Sequence, residues 1–373
     1  MLALAATRVF TGTELLEGAT LYIRDGEIAA ISSGMASGAE RLDGMLAPGL
    51  IDLQVNGGGG VLFNDAPDVE TLRTMAVAHA RLGVTGIMAT LISDERGKLQ
   101  AALDAVERGV NESLPGLLGL HLEGPWLSAH RRGVHPGTFL RRLDTEDMRK
   151  LLRRRAFPVM VTLAPEQATP EEVKALADFG VTVSIGHTAA SHEDVEALLA
   201  AGATGFTHLF NAMPPLESRK PGAIGVALAD RASWASLILD GIHVHPVTAR
   251  AALAAKSPRK LFLVSDAMAT VGSDSPDMKL FGEQISVSGG ALRTAEGTLA
   301  GAHLDLPTAM RNAMSMLGAP PEDALRMASR TPAEFLRIHM KRGCIAPGAR
   351  ADLILLGPDL DVRRVWIAGS PLP

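Results

Sequence analysis

Eight short apolar runs alternate with helix-like segments through the middle of this 373-residue chain. The runs lie near residues 50–55, 84–91, 117–122, 159–164, 181–186, 204–209, 235–240 and 261–265. The helix-like segments between them lie at 68–82, 95–108, 144–155, 170–179, 191–201 and 245–256. This alternation predicts an α/β fold of the (β/α)8 TIM-barrel type. An open doubly wound sheet is less favoured, because the Gly57–Gly60 turn lacks the spaced glycine fingerprint of such sheets.

Short β-like runs at both ends of the chain predict a second, smaller domain. Ala19–Ile23 and Glu27–Ile31 flank an Asp25-Gly26 hairpin signal, and segments 348–356 and 361–367 resemble them near the C-terminus. We therefore expect a small β-sandwich domain from residues 1–47 plus 341–373, and a barrel from residues 48–340. After the eighth run, residues 269–300 are predicted to form a β-hairpin excursion, followed by closing helices at 303–317 and 321–338.

Composition excludes several classes of function. No apolar run reaches the ~18 residues that suggest a membrane span. The net charge of −5 argues against a general nucleic-acid surface, and the basic cluster Arg153–Arg155 is expected to be the solvated side of a helix. A single cysteine, Cys344, excludes an internal disulfide and fits a reducing compartment, so a cytoplasmic protein is expected.

Polar residues stand where several apolar runs end, and in a parallel barrel these ends share the face that carries the active site. Glu123 and His187 directly follow the third and fifth runs, and His208 lies near the end of the sixth. One carboxylate and two imidazoles, with a coordination position left for water, is a usual catalytic zinc arrangement. Each histidine alone can equally be a hydrogen-bonded structural residue, but the three together favour a metal site.

Four further residues can take part in chemistry. Asp266 ends the eighth run and is suited to accept and return a proton, although alone it can be a helix cap or an ion-pair partner. His243 can stabilise an oxyanion or simply lie in the core. His135, on a Gly/Pro loop, is predicted to contact substrate. Arg219 suits a phosphate or carboxylate, although beside Lys220 it can also be solvated charge.

Four signatures together resemble the N-acetylglucosamine-6-phosphate deacetylases, a family of the amidohydrolase superfamily. They are Gln54–Gly58, His121–Pro125, Thr207–Met213 and Asp240–His243. The resemblance runs nearly end to end, and it implies hydrolysis of the acetamide of N-acetyl-D-glucosamine 6-phosphate to D-glucosamine 6-phosphate and acetate. Amino-sugar catabolism or cell-wall recycling is the implied setting. The implied partners are this small sugar phosphate and a second subunit in a homodimer, with no nucleic acid and no membrane.

The resemblance also implies a role for each site residue. It places the metal on Glu123, His187 and His208, the general acid/base on Asp266, and carbonyl polarisation on His243. Gln54 is expected beside the metal or orienting its water. The implied substrate contacts are Val134, His135, Asn211, Ala212, Arg219, Asp240, Gly241, Ile242, His243, Leu299, Ala300 and Gly301. Arg219 is expected to serve its own site or that of the neighbouring subunit.

Two departures from the wider pattern refine these expectations. Gln54 and Asn56 stand where many superfamily members carry His-x-His, and the fourth run lacks a bridging lysine, so one divalent metal ion per subunit is expected. Zinc is the expected ion, and Fe, Mn or Co suit the same ligands. The segment Ala302–Asp305 departs from a serine-rich family pattern beside the sugar pocket. The alternatives are another N-acetylhexosamine phosphate such as the galactosamine epimer, a different amide, or a non-catalytic barrel.

Overall fold

A computed structural model of the chain describes residues 1–372 and contains twenty strands and ten α-helices within them. The strands are β1 (Leu2–Phe10), β2 (Leu15–Arg24), β3 (Glu27–Ser33), β4 (Glu40–Pro48), β5 (Leu50–Val55), β6 (Gly57–Gly58), β7 (Val61–Leu62), β8 (Val84–Ile92), β9 (Leu117–Glu123), β10 (Val159–Leu163), β11 (Thr182–Ile185), β12 (Gly205–Phe206), β13 (Trp234–Ile238), β14 (Leu261–Val264), β15 (Asp277–Leu280), β16 (Glu283–Ser288), β17 (Ala291–Arg293), β18 (Leu353–Leu356), β19 (Val362–Ile367) and β20 (Ser370–Pro371). The helices are α1 (Val69–Arg81), α2 (Arg96–Asn111), α3 (Thr145–Leu151), α4 (Pro170–Phe179), α5 (His192–Ala201), α6 (Gly222–Ala229), α7 (Pro246–Lys256), α8 (Leu306–Leu317), α9 (Pro321–Ala328) and α10 (Arg330–Phe335).

Eight parallel strands form the central sheet, in the order β5, β8, β9, β10, β11, β12, β13 and β14. Several hydrogen bonds close the seam between β5 and the residues that directly follow β14. The Asp52 carboxylate accepts the N–H of Ser265 at 3.2 and 3.3 Å, and the carbonyl of Ala267 accepts the N–H of Asn56 at 2.9 Å. With its surrounding helices, this sheet confirms the predicted (β/α)8 barrel.

A buried layer of polar side chains fills part of the barrel interior. Thr90 Oγ1 lies 3.1 Å from Nδ1 of His121, whose Nε2 lies 2.7 Å from Thr162 Oγ1. Thr207 Oγ1 lies 2.7 Å from both Thr162 Oγ1 and Ser184 Oγ. Burial lowers the pKa of His121 to about 4, so its ring is neutral. These bonds satisfy the polar groups that alternation along the strands directs inward.

Two predicted elements are shorter in the structure. The sixth run was expected to be a strand over 204–209, but β12 covers two residues because the chain leaves the extended region at His208, whose φ is 34°. Helix α3 ends at Leu151 because the guanidinium of Arg155 donates to the carbonyls of Lys150 at 2.7 Å and Leu151 at 3.3 Å. The prediction for Arg153–Arg155 was therefore wrong: these residues follow the helix instead of forming its solvated side.

Two helical segments also differ from expectation. The segment 321–338 divides into α9 and α10 at Ser329, whose φ of −138° and ψ of −70° are not helical. Helix α6 was not predicted, because its sequence GAIGVALA is apolar all round and Pro221 before it supplies no side-chain cap. Helix α4 begins with a capping box, in which the Thr169 side chain and that of Glu172 each accept a backbone N–H of the other residue.

The strands from both termini form a seven-stranded sheet, in the order β20, β19, β18, β4, β1, β2 and β3. Its pairings are antiparallel except that of β1 with β4. This sheet has its own buried core, which includes Leu4, Leu21, Ile28 and Trp366. It fits the predicted sandwich domain built from both ends of the chain. Residue 373, the end of the predicted range, lies outside the described residues.

A small antiparallel sheet, β15–β17, follows the eighth barrel strand and confirms the predicted excursion. Its Leu280, Ile285 and Leu292 pack in one apolar cluster with Met268, which lies two residues after Asp266. The excursion therefore stands beside the C-terminal ends of the barrel strands. Within residues 1–372, every helix is too short or too polar to traverse a lipid bilayer.

Candidate active site

A cavity of about 270 Å³ lies at the C-terminal ends of the barrel strands. It brings together most of the residues predicted from the sequence, together with several apolar side chains. The lining residues are Asn56, Ile92, Glu123, Gly133, Val134, His135, His187, His208, Asn211, Ala212, Ile238, His243, Asp266, Met268, Thr298, Leu299 and Gly301. An apolar wall around a few convergent polar groups is typical of a small-molecule site.

Glu123, His187 and His208 form a tight cluster at the base of this cavity. Glu123 Oε1 lies 3.2 Å from His187 Nε2 and 2.9 Å from His208 Nε2, and the two Nε2 atoms are 3.0 Å apart. All three side chains are buried. Burial raises the pKa of Glu123, but the two neighbouring histidines outweigh it and hold that pKa well below its usual range.

An unusual backbone conformation directs three polar side chains into the cavity. His187, His208 and Asp266 all have positive φ, at 49°, 34° and 54°. Each residue lies two positions beyond the end of its strand, so the chain turns sharply there and carries the side chain over the barrel mouth. Non-glycine residues adopt this region only where the surrounding structure holds them, and such residues cluster at functional sites.

The donor set of the cluster fits a divalent cation. His187 Nδ1 donates to the carbonyl of Arg131 at 2.8 Å, which leaves the electron pair on its Nε2 directed at the cluster. That electron pair lies within 3.2 Å of Glu123 Oε1 and His208 Nε2. Three donor atoms facing one another at such distances are held together best by a shared positive ion.

His135 offers a competing ligand atom, since Glu123, His135 and His187 also present ligand atoms within 4.8 Å of one another. The N–H of Ser93 donates to His135 Nδ1 at 3.2 Å, so the proton of the neutral ring lies on Nε2. Burial and the nearby His187 lower the pKa of His135 to about 3, so the ring stays neutral. His135 therefore presents a hydrogen-bond donor to the cavity, and His208 is the better third ligand.

Asp266 stands beside the cluster, held by two amides. Gln54 Nε2 donates to Asp266 Oδ1 at 3.1 Å and to Glu123 Oε1 at 3.1 Å, and Asn56 Nδ2 donates to Asp266 Oδ1 at 2.7 Å. Desolvation and then the charge of Glu123 raise the pKa of Asp266 to about 6, partly offset by His208 and the Asn56 bond. Asn56 was assigned no site role from the sequence, although its alternation with Gln54 was a signal that both side chains face the barrel interior.

The remaining predicted contacts divide between the cavity and its supports. His243 lines the cavity, and its Nδ1 lies 2.6 Å from Asp240 Oδ2. Asp240 Oδ1 also accepts the N–H groups of Ile242 and His243 at 2.8 Å, so Asp240 supports the turn instead of lining the cavity. Gly241, Ile242 and Ala300 likewise lie outside the lining, and Ala300 is fully buried.

The predicted phosphate ligand Arg219 lies outside this cavity. It lines a separate surface cavity with Ser191, Lys220 and other residues. Within a single subunit, the structure therefore does not bring Arg219 together with the other site residues.

The unusual segment Ala302–Asp305 performs structural tasks near the site. The N–H of Ala302 donates to the carbonyl of Asp266 at 2.9 Å, His303 Nδ1 lies 2.9 Å from Thr270 Oγ1, and Asp305 caps helix α8. The segment that departs from the serine-rich pattern therefore supports the backbone that carries Asp266.

Residues 45–372 match the sequence profile of the Amidohydrolase family, and the chain belongs to that family. It is therefore a hydrolase of the metal-dependent class that acts on amide bonds.

Several individual relatives are similar to this chain over nearly its whole length. The chain is 41% identical to an N-acetylgalactosamine-6-phosphate deacetylase of Shewanella sp. (strain ANA-3), over 100% of this chain and 96% of that protein. It is 33% identical to the N-acetylglucosamine-6-phosphate deacetylase of Vibrio furnissii, over 98% and 93%. The crystal structure of N-acetylglucosamine-6-phosphate deacetylase from Pasteurella multocida superposes with a TM-score of 0.94 at 29% identity, over 99% of both chains. A mutant of the Mycobacterium smegmatis enzyme in complex with N-acetyl-D-glucosamine-6-phosphate gives a TM-score of 0.91 at 34% identity, over 99% and 98%.

Proposed function

We propose that this amidohydrolase removes the acetyl group of an N-acetylhexosamine 6-phosphate and releases acetate and the amino sugar 6-phosphate. The observation that carries this proposal is the placement of Asp266 beside the Glu123–His187–His208 cluster in one cavity. The names of relatives that match over nearly the whole chain support the sugar phosphate as substrate.

N-acetyl-D-glucosamine 6-phosphate is the first candidate substrate, since it is the sugar in the names of the solved relatives. The galactosamine epimer is the second candidate. It is favoured by the 41% identity to the Shewanella enzyme and by 36% identity to a second N-acetylgalactosamine-6-phosphate deacetylase, from Escherichia coli O157:H7. The two sugars differ only at C4, so a direct comparison of kcat/KM separates them.

We propose that Glu123, His187 and His208 hold one divalent cation, with zinc as the expected ion. The unprotonated Nε2 of His187 and the close approach of the three donor atoms support this assignment. Bound there, the cation supplies Lewis acidity toward the amide carbonyl and toward water. Gln54, which reaches both Glu123 and Asp266, is proposed to orient the attacking water.

The side chains around the cluster have complementary proton roles in this proposal. The Asp266 carboxylate takes a proton from the attacking water and later transfers it to the departing amine nitrogen. Both amide donors bond to Oδ1, so Oδ2 is the atom assigned to the moving proton. His135, through its Nε2–H, and His243, held by Asp240, are proposed to stabilise the oxygen of the tetrahedral intermediate. The remaining lining residues and the backbone near Asn211 and Leu299 are assigned to the sugar.

We propose that the phosphate site is completed in a homodimer, with Arg219 of one subunit reaching the cavity of its neighbour. Arg219 lies outside its own cavity, and Leu216 on the same loop is 53% exposed, as expected of an apolar side chain that a subunit interface covers. Mixing two inactive variants, Arg219→Ala and Asp266→Asn, tests this arrangement. Mixed dimers contain one intact site only if Arg219 acts across the interface, so recovered activity supports the proposal. Continued inactivity of dimers shown to have exchanged subunits refutes it.

The main test of the proposed function is acetate release from both sugar phosphates and from unphosphorylated N-acetylglucosamine, before and after chelation. Turnover that requires the phosphate, disappears with a chelator and returns with added zinc is the expected result. Equal turnover of the unphosphorylated sugar contradicts the phosphate site. Absence of turnover in metal-loaded protein contradicts the substrate class.

Two further assignments accompany this function. We place the enzyme in the cytoplasm, supported by its phosphorylated substrate and by Cys344, which is a buried free thiol. We also divide the chain into a barrel of residues 48–340 and a β domain of residues 1–47 plus 341–373, supported by the buried cluster that the terminal sheet forms on its own.

A further inference from the structure

A long loop between β9 and α3 reaches the cavity from the side. It spans residues 124–144, whereas strand-to-helix loops of such barrels commonly have about 2–6 residues. One short 3-10 turn, Ala129–Arg131, is its only regular element. Gly133, Val134 and His135 in its middle line the cavity. A loop of this length needs fixed anchors to hold a cavity wall in one place.

The carboxylate of Asp147 anchors both ends of this loop. Asp147 lies in the first turn of α3 and is fully buried. Its Oδ2 accepts Nε1–H of Trp126 at 2.8 Å and Nε–H of Arg141 at 3.0 Å, and its Oδ1 accepts Nη2–H of Arg141 at 2.9 Å. Arg96, the first residue of α2, donates to Oδ1 at 3.0 Å. The two ends of the loop also meet directly, since the N–H of Arg141 donates to the carbonyl of Pro125 at 3.2 Å.

The loop held in this way determines the orientation of two histidines. The carbonyl of Arg131 accepts Nδ1–H of His187 at 2.8 Å, and the N–H of Ser128 donates to the carbonyl of His187 at 3.0 Å. His135 itself belongs to the loop and bonds through Nδ1 to Ser93, three residues before Arg96. A shift of the loop therefore changes both the tautomer of His187 and the place of the His135 donor.

We propose that Asp147 is a positioning residue for the reaction. One buried carboxylate ties the start of the loop, its end and helix α2 into a single frame, and this frame holds His135 and His187 in their working orientations. The kinetic part of this inference rests on the proposed function, whereas the fixing of the loop does not. A buried ion pair is a poor source of stability compared with apolar packing, so the role assigned to Asp147 is the geometry of the loop and not the stability of the fold.

The test compares Asp147→Asn with a matched variant in the other domain, Asp352→Asn. Asp352 is also buried and paired with two guanidiniums, those of Arg342 and Arg350, but it lies in the β domain. Three quantities are measured for each protein: the melting temperature, the rate of trypsin cleavage after Arg131 and Arg132, and kcat and KM for acetate release. Wild-type turnover is measured first, so that failure of the proposed function is recognised separately.

The expected result is that Asp147→Asn speeds cleavage within the loop and lowers kcat about ten-fold, with a smaller change in KM, because the two histidines act at the reacting acetamide. Asp352→Asn is expected to lower the melting temperature while leaving cleavage and kcat close to wild type. If Asp147→Asn does not fold, Trp126→Phe removes only the indole donor and should give the same pattern more weakly. Unchanged cleavage and kcat in the Asp147 or Trp126 variant, or equal losses in Asp352→Asn, overturn the proposal. If the wild type turns over neither sugar, the cleavage rates alone decide it.

Discussion

Replacing Asp266 by asparagine tests the proposed chemistry with little change in shape. The side-chain oxygen of asparagine can occupy the position of Oδ1, where Gln54 and Asn56 donate at 3.1 and 2.7 Å. The amide nitrogen then replaces Oδ2, the atom assigned to the moving proton. An amide cannot accept that proton, so both proton transfers lose their carrier while the neighbouring hydrogen bonds remain.

The expected loss follows from what a positioned acid–base group contributes. Such groups supply roughly 10²–10⁴-fold in rate, and Asp266 serves two transfers, so a loss of kcat near about 10³–10⁴-fold is expected. This corresponds to about 4–5.5 kcal/mol in the activation free energy. Folding should suffer little, because asparagine has nearly the same shape as aspartate and can keep both hydrogen bonds made at Oδ1.

The assay combines acetate release at saturating substrate with metal content and melting temperature of the same preparation. The expected variant holds as much metal as wild type and melts at the same temperature, yet turns over about a thousand-fold more slowly. Retention of more than about one-tenth of the wild-type kcat, well above the range expected for loss of a general base, refutes the role of Asp266. Loss of metal together with activity instead shows that Asp266 belongs to the ligand set.

Three predictions concern stability and are checked by chemical or thermal unfolding. Burial raises the pKa of Asp52 from 3.8 to about 7, so this carboxyl favours folding below about pH 4 and loses that contribution as the pH rises through about 7. Between these limits, the free energy of unfolding of Asp52→Asn should therefore rise relative to that of the wild type by at most about 4 kcal/mol. A difference between the two proteins that stays constant across this pH range contradicts the assignment. Gly57→Ala should cost about 1–3 kcal/mol, since an added Cβ meets a backbone oxygen at 2.4 Å, whereas Gly97→Ala, with its nearest atom at 4.0 Å in helix α2, should not destabilise. Thr162→Val should cost about 1–3 kcal/mol because it leaves Nε2 of His121 without its 2.7 Å partner, and a loss equal to that of Thr162→Ser contradicts this reasoning.

Much of the barrel could be predicted from the local pattern of apolar and polar residues. The run 117–122 forms strand β9, which ends one residue later at Glu123, and alternation along it directs His121 and Glu123 inside the barrel, because period two is a property of every extended chain. The ends of helices, and one whole helix, could not be predicted in this way. Helix α3 stops where Arg155, four residues further on, folds back onto its last carbonyls, and α6 carries no amphipathic signal at all.

The same division holds for the candidate site. Glu123, His187, His208 and Asp266 could be singled out because each polar residue ends an apolar run, and parallel strands bring such ends to one face. The residues that contact these four side chains in the folded protein could not be predicted from the ends of the runs. The link from Gln54 to Asp266 spans 212 positions, and it exists because the barrel closes its first strand against its eighth.

The order of the apolar runs, the residues at their ends and the resemblance of four motifs were properties of the sequence itself, because they depend on local periodicity and residue type. Tertiary structure alone decided which imidazole nitrogen faces the cluster, since the carbonyl of Arg131 and the amide of Ser93 set the tautomers of His187 and His135. It also separated Arg219 from its own cavity and joined Asp147 to both ends of the loop that carries His135. Such contacts join segments distant along the chain, and their geometry arises only when the packed elements bring those segments together.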